Sequence, residues 1–222
     1  MKRRRVLTAL FLLLAACALA LGIAAVRRAQ RLPSKDGVSV PVLMYHAVGD
    51  DCWGAESLFV KPEELEKQLQ YLSENGYETL FFEDLSHIEQ YEKPVLLTFD
   101  DGYDDNAETL LPLLQKYGMK ATIFLIAGDV GKPHKLTRAQ ITELVRSQSR
   151  IFALTGRVPI ALSYPNGNSS ARARKLAGWF YTYGVRTYAG VYETGSDSML
   201  VERITVSRDT TLDEFKRELE IP

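Results

Sequence analysis

A parallel α/β fold is predicted by three features of this 222-residue chain. Short apolar runs, above all Val40 to Tyr45 and Pro94 to Phe99, lack the polar alternation of a half-exposed strand and read as strands covered on both faces. Amphipathic stretches of helical period lie between them, as in repeated strand-helix units. The chemically distinctive residues His46, Asp100 with Asp101, and the Pro165-Asn166-Gly167 turn follow Tyr45, Phe99 and Tyr164, where strands end. Barrels and doubly wound sheets both bind their ligands at that edge.

The N-terminal segment is an address and not part of the fold. Met1 to Arg5 carries four basic residues ahead of Val6 to Val26, an apolar run broken only by Thr8 and Gly22. At about 1.5 Å per residue such a helix just crosses a hydrocarbon core of roughly 30 Å. The basic excess before the run predicts a cytoplasmic N-terminus and an exported remainder. Residues 1–28 are assigned to a single-pass signal anchor in the cell membrane, 29–40 to a polar linker containing Pro33, and 41–222 to one extracytoplasmic domain. Two cleavage signals offer alternatives, Ala18-Leu19-Ala20 for a secreted protein and Leu14 to Cys17 for a lipoprotein.

The charge balance narrows the partners. Seven basic residues and no acid lie within residues 1–31, which leaves 20 basic against 28 acidic residues beyond, a net −8. Nucleic acid is excluded as a partner, because its binding rests on neutralising phosphates. Cys17 and Cys52 are the two cysteines, so no disulfide is expected, and a metal site has to come from carboxylates and from His46, His87 and His134.

Along the domain, Pro62 to Asn75 reads as a helix with Leu65, Leu69 and Leu72 on one face and Gly76 as its stop. A strand at Thr79 to Phe82, a short helix at Glu83 to Gln90 and the strand Pro94 to Phe99 follow. Asp104 or Asp105 is expected to cap a helix running through Tyr117, with Ala121 to Ala127 as the next strand. Thr137 opens a helical pattern expected to run unbroken to Thr155. Strand Ile160 to Tyr164, helix Ser170 to Tyr181, strand-like runs at Val185 to Tyr192 and Val201 to Val206, and a helix opened by a Thr211–Glu214 capping box complete the chain.

Thr98 to Tyr103 reads TFDDGY and sets adjacent carboxylates at a strand end. Two anions this close raise each other's pKa unless a cation separates them; the same residues also suit a turn and a helix cap. Tyr164 to Gly167, YPNG, taken alone is a plain turn. TFDDGY, ATIFLIAGDVG about twenty residues on, YPNG, and VPVLMYHAV upstream together resemble the polysaccharide deacetylase family, the NodB-homology domain of carbohydrate esterase family 4. The resemblance covers roughly residues 40–222, with the core homology from about residue 92.

The resemblance implies a distorted (β/α) barrel that uses a divalent metal, zinc by expectation, to remove N-acetyl groups from glycans such as peptidoglycan or poly-N-acetylglucosamine. It implies Asp100 as general base, Asp101 as metal ligand and the backbone N–H at Asn166 as oxyanion donor. His46, by its position after the first strand, and Tyr164 are the candidate substrate-binding residues. The family's second motif, His-Ser/Thr-x-x-His, is absent: no two of the three histidines have that spacing. Between Glu143 and Gly156 the sequence passes from what resembles one family helix into the end of the next, so the barrel is expected to lack about one strand-helix unit and two metal ligands. A catalytically inactive glycan-binding or scaffold module is the alternative. The family's late general-acid histidine has no counterpart in Arg203 to Thr210. The aromatics Trp179, Phe180, Tyr181, Tyr183 and Tyr188 are expected to pack in the core.

Overall fold

The computed structural model describes residues 33–148 and 160–220. The run assigned to the membrane anchor, the start of the linker and the end of the helix expected over 137–155 lie outside these residues. Among the described residues no helix is long and apolar enough to cross a membrane.

Among the described residues the barrel is carried by the parallel strands β1 Val42–Tyr45, β2 Glu78–Thr79, β3 Pro94–Phe99, β4 Thr122–Ile123, β5 Ala161–Ser163, β6 Tyr183–Val185 and β7 Ile204–Thr205. β1 pairs with β7 on one side and with β3 on the other. The far edge of β3 pairs with β2 at its start and with β4 at its end. β5 and β6 pair with each other, and a bridge from Val185 to Val201 leads back toward β7. The helices are α1 Pro62–Glu74, α2 Leu111–Tyr117, α3 Arg138–Gln148, α4 Ala171–Ala177 and α5 Leu212–Leu219.

Alternation along β1 and β3 divides two cores. Leu43, Tyr45, Val95, Leu97 and Phe99 pack outward against Leu65, Leu69 and Leu72 of α1, Leu114 of α2 and Phe215 and Leu219 of α5. Val42 and Leu96 face the interior, with Tyr183, Val185 and Val201. The same period carries Thr98 and Asp100 inward above them, so the carboxylate stands at the interior's mouth because the strand's apolar residues fix the register.

The array is open between β4 and β5. Among the described residues no strand joins them, and Thr122, Ile123, Ala161, Leu162 and Ser163 are only half-buried, whereas every residue of β1 and β3 is buried. This is the incomplete (β/α) barrel expected from the sequence. At the opposite, amino end Ser39–Val40 pairs antiparallel with Tyr192–Glu193 across the base.

Local expectations fare unevenly. The Thr211–Glu214 capping box forms, and Thr137 makes a similar reciprocal pair with Gln140 ahead of α3. Neither Asp104 nor Asp105 caps α2. The chain instead enters through a wide π turn, Asn106–Leu110, closed by the Leu111 N–H on the Asn106 carbonyl. Of the aromatic cluster Tyr183 packs in the core as expected, but Trp179, Phe180 and Tyr188 are exposed, because α4 ends at Ala177 and leaves them on the turn and loop beyond.

Candidate active site

Asp100 follows β3 directly, its N–H bonded to the Tyr45 carbonyl at 2.9 Å. Only 6% of it is exposed, and opposite it stands Arg203, which is wholly buried. Arg203 Nη1 and Nη2 donate to the two Asp100 carboxylate oxygens at 2.7 Å each. Nε donates to the Arg186 carbonyl at 2.7 Å, Nη1 also to Thr98 Oγ1 at 3.1 Å and Nη2 to Ser163 Oγ at 3.4 Å. All five guanidinium N–H groups are thereby satisfied. Ser163 Oγ in turn meets Asp100 at 3.3 Å, so one fork ties the ends of β3, β5 and β6 together.

Asp101 and Gly102 both have left-handed backbones, φ 69° and 62°. The pair turns the chain sharply out of β3, and at Gly102 the left-handed φ favours glycine, a Cβ there also coming within 2.5 Å of a Leu125 methyl that would have to shift. The turn brings Tyr103 back under Asp101, to whose carboxylate its hydroxyl donates at 3.2 Å. Burial first, and then Asp101, pushes the Tyr103 phenol up to about 12, which keeps it a donor. Lys135 donates to the Asp101 carbonyl at 3.2 Å and sits 3.5 Å over the Tyr103 ring. Burial lowers the Lys135 pKa, and Asp101 is the first of the carboxylates opposing that.

His46, at the end of β1, is half-buried beside both carboxylates. Burial lowers its pKa more than Asp100 and Asp101 raise it, so the ring tends to neutrality. Asn106 of the π turn donates to the His46 carbonyl at 3.2 Å and to Asp105 at 2.8 Å. Burial pushes Asp105 itself up to about 7. Asn166 is exposed, with φ 52° and its carbonyl accepting from Thr187 Oγ1 at 3.3 Å. It lies three residues past Ser163, whose hydroxyl meets Asp100, so its Cα is within about 11 Å of Ser163's. Tyr164 is buried with its ring against Gly184, and its hydroxyl makes no hydrogen bond among the described residues. Successive strand residues face opposite ways, so Ser163 meets the carboxylate and Tyr164 does not.

The residues present do not compose a zinc centre. A catalytic zinc takes three protein ligands and leaves one position open. Among the described residues no three His, Cys, Asp or Glu side chains converge for a metal. Asp101 already accepts from Tyr103, and His134 is stacked on Trp53 at 4.1 Å between ring centres. His87 is exposed on a short helix. The sequence reading missed Arg203, Ser163 and Lys135. For Arg203 a signal existed: an arginine set between the apolar residues Val201, Ile204 and Val206 has to find a buried partner.

Comparison with known proteins agrees with this geometry. A family model described as polysaccharide deacetylase matches residues 87–142, the segment that contains TFDDGY. YxkH of Bacillus subtilis, a protein named for polysaccharide deacetylases, is 43% identical over 112 residues, covering 48% of this chain. The chain spans 39% of that relative's length. The crystal structure of BA0330 from Bacillus anthracis, also named a polysaccharide deacetylase, superposes with a TM-score of 0.74 at 27% identity, covering 83% of this chain and 70% of that one. BC0361, a polysaccharide deacetylase of Bacillus cereus, gives the same TM-score and coverage at 26% identity. Residues 87–142 thus match the polysaccharide deacetylase family, and the described domain shares the fold of solved polysaccharide deacetylases.

Proposed function

We propose that this domain binds N-acetylated glycan, such as peptidoglycan or poly-N-acetylglucosamine, across the mouth of its open barrel, and that hydrolysis of the acetamide there is slow or absent. The observation that carries this reading is the fixed Asp100–Arg203 pair beside an Asp101 around which, among the described residues, no three-ligand metal cluster gathers.

What the chain's own residues can do is limited but definite. Asp100, an anion oriented by Arg203 and Ser163, can accept a proton from a water at the mouth. The Asn166 N–H, on a turn fixed by Thr187, can donate to a developing oxyanion. Deacetylases of this family are generally metal-dependent, the metal activating the water and polarising the carbonyl. Here Asp101 is the family ligand that remains to hold one, and among the described residues no three His, Cys, Asp or Glu side chains gather around it. Nor, among the described residues, does any side chain stand out as proton donor to the leaving amine. The apolar run at residues 6–26 supports attachment of the chain to the cell membrane with the domain outside the cytoplasm.

The test measures acetate released from N-acetylglucosamine oligomers by the full chain with excess Zn²⁺ or Co²⁺, and binding of the same oligomers by calorimetry. Binding with little or no turnover is expected. Robust metal-dependent turnover that disappears in Asp101→Ala would show that other residues complete the site. Absence of both binding and turnover would remove glycan recognition altogether.

A further inference from the structure

One exposed surface is used neither by the core nor by the carboxylate mouth. On α4 and the turn after it, Arg172, Lys175, Leu176 and Trp179 fall at i, i+3, i+4 and i+7 and share one exposed face. Trp179 is 58% exposed, and Phe180 beside it 74%. Two adjacent aromatics at the tip of a turn, with basic residues on the helix behind them, form the composition that settles at a membrane's headgroup level.

The position of this turn in the barrel gives the surface its meaning. Thr182 and Tyr183, just past the turn, donate to the Ile160 carbonyl at 2.8 and 3.0 Å, at the starts of β5 and β6. The turn therefore lies at the barrel's amino edge, and the linker arrives at that same edge. Gly37 donates to the Thr194 carbonyl at 2.7 Å, and Ser198 of the same segment donates to the Thr182 carbonyl at 2.8 Å. From Val26, the last residue of the apolar run, to Pro33 the chain can reach at most about 25 Å. A domain of net −8 is repelled by an anionic leaflet and can rest on it only through a locally basic patch, which Arg172 and Lys175 supply. Asp36, Glu193 and Asp197 stand nearer the point where the linker enters, which confines the contact to the turn and the adjoining helix.

We propose that the Trp179–Phe180 turn is a second membrane contact, seated in the headgroup region of the anionic bilayer that the N-terminal run enters. It rests on the reading of residues 6–26 as an anchor. With the amino edge on the membrane, the parallel strands carry Asp100 and Asp101 to the opposite end, facing whatever polymer lies beyond the bilayer.

Trp53 and Trp179 are the chain's two tryptophans, so the full chain with Trp53→Phe reports on Trp179 alone. It is reconstituted into phosphatidylglycerol/phosphatidylcholine vesicles with brominated acyl chains, followed by flotation, lipid quenching and iodide quenching. The chain is expected to float, and Trp179 to be quenched by lipid and shielded from iodide. Adding Phe180→Asp with Lys175→Glu should cut lipid quenching roughly twofold or more without affecting flotation. Flotation with Trp179 open to iodide and untouched by brominated lipid overturns the docking and leaves the anchor standing. A chain that does not float overturns both. Shielding that appears only on adding N-acetylglucosamine oligomers, or only at high protein density, assigns the turn to glycan or to a second copy and overturns the proposal.

Discussion

Arg203 and Asp100, 103 residues apart in sequence, meet in a two-point ion pair inside the barrel, each carboxylate oxygen 2.7 Å from its own guanidinium nitrogen. Arg203 sits beneath the mouth and Asp100 at it, so the pair fixes the direction in which the candidate base points. Its partners lie in the segments that form β3, β5, β6 and β7, and it therefore spans the side of the barrel that remains closed. Replacing Arg203 by Met would leave a nearly buried carboxylate unpaired, at a cost of about 3–5 kcal/mol. Urea unfolding of the variant measures this. The double variant Arg203→Met with Asp100→Leu should recover much of the loss, since no charge is then stranded. A single-variant loss below about 1 kcal/mol would mean that water already reaches the pair.

Asp105 predicts how stability depends on pH. Unfolded, it loses its proton near its ordinary value of 3.8; folded, burial holds the proton to about 7, with Asp104 and Glu108 adding to the effect. Between those values the folded chain binds the extra proton, so the contribution of this group to stability falls as pH rises through that window and stays lost above it. Asp105→Asn should therefore be more stable than the unsubstituted chain at pH 8, on the order of 2 kcal/mol, with the difference shrinking toward zero near pH 4. Denaturant midpoints at the two pH values decide it, and an equal offset at both would contradict the titration.

The ligand count predicts a domain indifferent to zinc. A bound metal raises the melting temperature according to its concentration relative to its dissociation constant. With Asp101 as the family ligand that remains, Zn²⁺ at 0.1 mM should shift Tm by less than about 1 °C, and a chelator should do no more. A rise of several degrees, lost in Asp101→Ala, would reveal a competent site.

Gly167 should tolerate no side chain. Its φ is 69°, and a Cβ would stand 2.2 Å from Thr187 Oγ1 and 2.6 Å from the Thr187 nitrogen. Thr187 also carries the hydrogen bond to the Asn166 carbonyl. Gly167→Ala should destabilise the domain by about 1–3 kcal/mol and loosen the Asn166 turn. Thermal unfolding, with amide exchange at residues 166–168, reads both effects.

The sequence by itself determined the strand-helix order and the position of the carboxylates at a strand end. Pro94–Phe99 and Pro62–Glu74 stand where their patterns place them, because an unbroken apolar run and a helical stripe are local signals that burial then satisfies. The Thr211–Glu214 cap is equally local, since its two partners are three residues apart. Position at the carboxyl end of a parallel strand made Asp100, Asp101 and His46 legible, because the chain must leave each strand at that edge. The absent histidine pair was legible too, since it needs no geometry.

Only the tertiary structure decided the rest. The fork of Arg203 on Asp100 and Ser163 joins residues 40 to 103 positions apart, and no local pattern encodes which buried arginine finds which carboxylate. Asp105 reads as a helix cap in sequence, yet it enters a π turn where burial holds its proton. Trp179 and Phe180 read as core because aromatics usually are. They stay outside because α4 stops at Ala177, one turn short of the pattern, and the chain then turns along the barrel's amino edge. The physical reason is common to all three: local sequence sets a residue's conformational preference, but burial and partnership are set by whatever the closing barrel brings against it.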